Sequence, residues 1–136
     1  MKFDTKIAVL LRDDLATWQR LNVTAFLVSG VAAQEPELIG KPYADADGTA
    51  YLPMFRQPVM VFVGDAALLT QAHGRALERG LTIGVFTEEL FKTGNDDDNR
   101  AAVAAVPRDE LRLVGIAMHG PRSVVDKVLK GAALHP

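Results

Sequence analysis

Four sets of residues carry side chains able to do chemistry, and each lies just after an apolar run. Arg12, Asp13 and Asp14 follow residues 6–11, with Thr17, Trp18, Gln19 and Asn22 just beyond. Asp65 follows 59–63, while Thr87, Glu88 and Glu89 follow 82–86, with Lys92 and Thr93 next. His119, Gly120 and Arg122 follow 111–118. Asp14, Glu88 and His119 are the candidate acid–base groups, because a carboxylate and an imidazole at one site can exchange protons near neutral pH. The candidate ligand contacts are Arg12, Asp14, Trp18, Asn22, Glu88 and Thr93. Arg12 offers a fixed cation to a polar substrate, and Trp18, the single tryptophan, can roof a pocket or stack on a base.

Each of these residues also has a plain structural role. Asp14 and Asp65 suit helix N-caps, and Glu88 and Glu89 suit a first helical turn. Arg12 suits an ion pair with a neighbouring acid. Trp18 suits a core, Asn22 a bond to a backbone carbonyl, and His119 a loop hydrogen bond. The other histidines, His73 and His135, are too scattered for a metal site, and no metal or cofactor is expected. Asp45-Ala46-Asp47-Gly48 reads as a turn, and Asp96-Asp97-Asp98 as a solvated loop. There is no Gly-rich phosphate loop, no Gly-x-Ser-x-Gly elbow and no cysteine.

Positioning these residues requires alternating strands and helices. Residues 6–11, 59–63, 82–86 and 111–118 read as strands, the first a near-continuous apolar run of the kind buried on both faces. A helix spans about 15–33, with Trp18, Leu21, Ala25, Val28 and Ala32 as its inner stripe. Phe26, Leu27 and Val31 then make it apolar nearly all round, which points to a homodimer through this helix. Tyr43 and residues 50–52 suggest short hairpin arms. Asp65 caps a second helix ending near Gly80, a short helix follows Thr87, and Pro121 at N1 opens the last helix. The order implies a single domain over 1–136: a three-layer α/β/α sandwich with a mixed, mainly parallel sheet of about four strands. In such folds ligands sit at the carboxyl ends of strands, which would gather the sets above into one cleft.

The 136 residues carry 15 Lys+Arg against 17 Asp+Glu, and 49% are hydrophobic. That is a globular composition without the basic excess of a nucleic-acid-gripping domain. No apolar stretch reaches membrane-spanning length, and 7–11 is too short for a secretory signal, so a cytoplasmic protein is expected.

Residues 6–15, Lys-Ile-Ala-Val-Leu-Leu-Arg-Asp-Asp-Leu, followed by a long helix, resemble the start of the peptidyl-tRNA hydrolase II family. The resemblance continues through 59–63, Gly80-Leu81, 82–86 and 113–121, and into the helix with Val125-Asp126-Lys127-Val128. Lys6, Arg12, Asp14 and Leu15 match that family's opening residues. The rest of its reactive set is altered. Leu21, Ala25 and Val28 stand for a lysine, a glutamine and a histidine, and Phe62 falls at or near the strand lysine. Glu88 falls near the later catalytic aspartate, and Thr93 aligns with a small hydroxyl residue. With a pI of about 5.9, tRNA is not an expected partner. The resemblance is to a bacterial branch of unknown function. It implies a scaffold without most of the catalytic set, binding an unidentified small molecule in a strand-end cleft. The alternatives are a divergent hydrolase of ester or aminoacyl-type substrates, using Glu88 or His119 with Asp14, and a non-catalytic homodimeric interaction protein.

Overall fold

The structure, a computed structural model, describes residues 3–135. The elements run β1 (Thr5–Arg12), α1 (Thr17–Gln34), β2 (Tyr43–Ala44), β3 (Ala50–Tyr51), β4 (Val59–Gly64), α2 (Ala66–Glu78), β5 (Gly84–Thr87), α3 (Asp96–Ala104), β6 (Leu113–Pro121), α4 (Arg122–Val128) and β7 (Ala133–Leu134). Short 3-10 turns occupy Pro36–Leu38, Glu88–Lys92 and Arg108–Glu110. Among the described residues, no helix is long and apolar enough to cross a membrane.

The main sheet has five strands in the order β5-β6-β1-β4-β7. Only β1 and β4 run parallel; β1–β6, β5–β6 and β4–β7 are antiparallel. The expected mainly parallel sheet of about four strands is therefore corrected to a mixed, mostly antiparallel sheet of five. An apolar run buried on both faces reads the same in either direction, so its composition carries no sign of orientation. At two residues, β7 is also too short to show a period.

Alternation along β1 divides the core in two. Ile7, Val9 and Leu11 pack with Val23, Leu27 and Val31 of α1, whereas Ala8 and Leu10 pack with Leu69, Ala72 and Ala76 of α2 and Val125 and Val128 of α4. Helices thus cover both faces of β1. The inner stripe of α1 is Val23, Leu27 and Val31, spaced i, i+4, i+8, not the expected one. Trp18, Leu21 and Phe26 are 62%, 68% and 55% exposed. Leu27 and Val31, expected at a subunit interface, are consumed by the sheet. Gly115 decides which stripe faces in: a Cβ there would lie 2.7 Å from Val23 Cγ1 and 3.0 Å from Leu27 Cδ1.

Local signals were followed closely at several ends. Asp65 Oδ1 accepts from the Leu68 amide at 2.8 Å, and Gly80 takes φ 72° beyond α2. The expected hairpin arms form around Asp-Gly, with Tyr43 opposite Tyr51 and Gly48 at φ 83°. Three ends differ. Asp14 does not cap α1; Ala16 is the cap position, and its amide donates to the Gln19 side chain at 2.9 Å. Asp96, Asp97 and Asp98 form the first turn of α3 rather than a loop, because Asn95 Oδ1 accepts from the Asp98 amide at 2.8 Å and the acids suit the helix dipole. Pro121 ends β6 and caps α4 instead of opening the helix proper.

Two measurements test this packing. Gly115→Ala forces a methyl into Val23 and Leu27, and urea unfolding should show a loss of about 1–3 kcal/mol. His73 is largely buried on α2; that burial, then the positive charge of Arg108, lowers its pKa, with Asp109 opposing. The unfolded chain therefore takes up this proton more readily than the folded one, and stability falls as pH drops through the ordinary histidine range and below it. Between about pH 7.5 and about pH 5.5 the urea midpoint should fall, and by less in His73→Gln.

Candidate functional site

The carboxyl end of β1 carries a compact ionic cluster. Its backbone is held by the Asp13 amide, which donates at 2.9 Å to the carbonyl of Gly64, the last residue of the parallel partner β4. Arg12, its side chain 17% exposed, donates from Nε to Asp14 Oδ1 and from Nη1 to Glu88 Oε1, both at 2.6 Å. Burial opposes the Arg12 charge, but the bonds to Asp14 and Glu88 outweigh it and hold the guanidinium pKa above its ordinary value. Arg112, just before antiparallel β6, adds longer contacts of 3.7 Å to Glu88 and 3.8 Å to Glu89. The structure thus brings Arg12, Asp14 and Glu88 together, with both carboxylates committed as counter-charges of one arginine.

His119 is not part of this cluster. Because β6 runs antiparallel to β1, His119 lies opposite Ile7, at the other end of the sheet. There Nδ1 lies against Glu35 Oε2 without hydrogen-bond geometry, and Nε2 is buried with no hydrogen-bond partner among the described residues. Asp14, Glu88 and His119 therefore do not assemble into one acid–base set.

Glu88 also opens the 3-10 turn Glu88–Lys92, and that turn builds an aromatic cleft against α1. Trp18 meets Phe91 edge-on with ring centroids 5.8 Å apart, Phe91 meets Phe86 at 5.1 Å, and Phe86 meets Phe26 edge-on at 6.0 Å. These four rings border a cavity of about 330 Å³ whose polar lining includes Asn22, Thr93, Asn95 and Asn99. A second cavity of about 390 Å³, lined by Phe26, Phe86 and Asn99 among others, adjoins it along α1. Thr93 Oγ1 lies 3.0 Å from the Leu90 carbonyl and also contacts Asn99 Oδ1, tying the turn to α3.

Of the expected ligand contacts, Trp18, Asn22 and Thr93 share this cavity, and Glu88 belongs to the turn that shapes it. Phe26, Phe86, Phe91, Asn95 and Asn99 were missed. The spacing of Asn95 and Asn99, i and i+4 at a helix start, was the available signal, hidden by reading that stretch as a loop. The site can hold an apolar surface against the rings and bond its edge through amides and a hydroxyl. Among the described residues, no group of three or more His, Asp or Glu is placed to hold a metal ion.

A family model described as a protein of unknown function (DUF2000) matches residues 5–136. The chain is 50% identical to a protein of unknown function from Agrobacterium tumefaciens whose structure is solved. The match covers 99% of this chain and 100% of that one, with a TM-score of 0.97. Among curated proteins, none matches.

Glu88→Gln should remove the charge that joins β1 to the 3-10 turn. We expect a stability loss of about 1 kcal/mol in urea unfolding, since the pair is partly exposed. The near-UV circular dichroism of Trp18 should change with it, because Phe91 packs on that ring.

Proposed function

The chain belongs to the DUF2000 family of proteins of unknown function, and from that premise we propose that it binds a small, flat, mostly apolar molecule with hydrogen-bonding edges in the cleft between α1 and the Glu88–Lys92 turn. One observation carries the reading: the row of four contacting rings, Trp18, Phe91, Phe86 and Phe26, beside a cavity of about 330 Å³. Ligand sites combine an apolar lining with a few placed polar groups, and here Asn22, Thr93 and Asn99 supply them, with the Asp96 carboxylate on the same lining.

In this reading the scaffold is of the three-layer, peptidyl-tRNA hydrolase II-like kind, in the bacterial cytoplasm, with binding retained and that family's chemistry lost. Its support is the sequence resemblance together with the apolar Leu21, Ala25 and Val28 where basic and amide groups would stand. A homodimer through α1 belongs to the same proposal but would use Leu21 and Phe26, since Leu27 and Val31 face the sheet. A hydrolase pairing His119 with Asp14 draws no support, since the two stand at opposite ends of β1, and in one pairing Glu88 with Asp14 both carboxylates are ion-paired with Arg12.

Trp18 reports on the cleft directly. Titration with nucleosides, free nucleobases and indole derivatives should give saturable quenching of its fluorescence for at least one of these classes. Phe91→Ala or Asn99→Ala should weaken that binding about tenfold, as loss of one ring contact or amide bond does. No quenching and no thermal shift with any of the three classes would sink the proposal.

A further inference from the structure

A third cavity, of about 240 Å³, lies at the end of β1 opposite Arg12 and shares no residue with the aromatic cleft. Phe3, Thr5, Lys6, Gln57, Pro58, Met60 and Arg122 line it. Its polar lining is rich in donors and contains no carboxylate. The Arg122 guanidinium is partly buried and donates from Nε at 3.2 Å and from Nη2 at 3.0 Å to the Phe3 carbonyl. It pairs with no carboxylate among the described residues, and its remaining N–H groups are unspent.

Lys6, with a side chain 15% exposed, gives one bond to Asp126 Oδ1 at 2.5 Å. Two of its three protons remain. Gln57, 8% exposed, directs Nε2 to the Thr5 carbonyl at 3.2 Å and to Thr5 Oγ1 at 3.3 Å.

A partly buried cation without a counter-charge is unfavourable unless a ligand supplies one. Oxyanions accept several charge-assisted bonds at once, and arginine is suited to them. We propose that this cavity binds the oxyanion group of a small molecule, held by Arg122 and Lys6, with a short apolar body against Phe3, Pro58 and Met60. Carboxylates and phosphates share this chemistry.

The test is a backbone-amide chemical-shift titration of the full chain, separately with inorganic phosphate and with butanoate, at constant ionic strength. Saturable shifts at Thr5, Lys6 and Gln57 are expected. Saturation by phosphate alone marks a phosphate-bearing ligand, and saturation by butanoate alone a carboxylate. Arg122→Gln and Lys6→Gln should each weaken binding about tenfold, and Lys41→Gln should not. If Arg122→Gln unfolds for want of its Phe3 bonds, Lys6→Gln, which leaves those bonds in place, should still weaken binding about tenfold. The proposal is overturned if neither anion saturates these shifts, or if Lys41→Gln weakens binding as much as the other variants do.

Discussion

Residues 7–11 of β1 have almost no contact with solvent, so each of their backbone N–H and C=O groups must find its partner in a neighbouring strand. β4 satisfies one edge in parallel register, Ile7 opposite Val59 through Arg12 opposite Gly64. β6 satisfies the other in antiparallel register, Thr5 opposite Pro121 through Leu11 opposite Gly115. This double pairing sets which side chains share an end of the molecule. Arg12 finds Glu88 and Arg112 at one end; Lys6 finds Arg122 at the other. The side chains of β1 then divide the apolar core, with α1 on one face and α2 with α4 on the other.

The two ends of that strand treat their cations differently. At the carboxyl end, Arg12 is neutralised by two carboxylates at 2.6 Å each, and the cluster braces the turn that carries Leu90 and Phe91. A pair held this tightly is suited to positioning a wall and has little left to offer a substrate. At the amino end, Lys6 has one carboxylate and Arg122 only a carbonyl, so bonding capacity is left over. An aromatic cleft adjoins the first cluster and a donor-lined cavity the second.

The helix α1 shows how a small change of face alters a functional reading. It carries two apolar stripes. Val23, Leu27 and Val31 enter the space left by Gly115, where no other residue fits without displacement. Trp18 and Phe26 are thereby turned outward against Phe91 and Phe86, and residues that would have been core become the border of a cavity.

The features legible in the sequence were those decided within a few residues of the chain: β1 as an apolar run, Asp65 as a cap, the Asp-Gly hairpin, and Arg12 with Asp14. Each depends on a side chain meeting nearby backbone or a neighbour two positions away, and such contacts survive in almost any surroundings. The pairing of Arg12 with Glu88, the direction of β6, the inward stripe of α1 and the helical state of 96–104 were settled by the assembled fold. Burial on both faces erases the signal of strand direction, and two stripes on one helix have the same period. Only the space beside Gly115 and the hydrogen-bonding edges of β1 distinguish them, and that is why His119, close to Glu88 in the sequence-based picture, stands at the opposite end of the sheet.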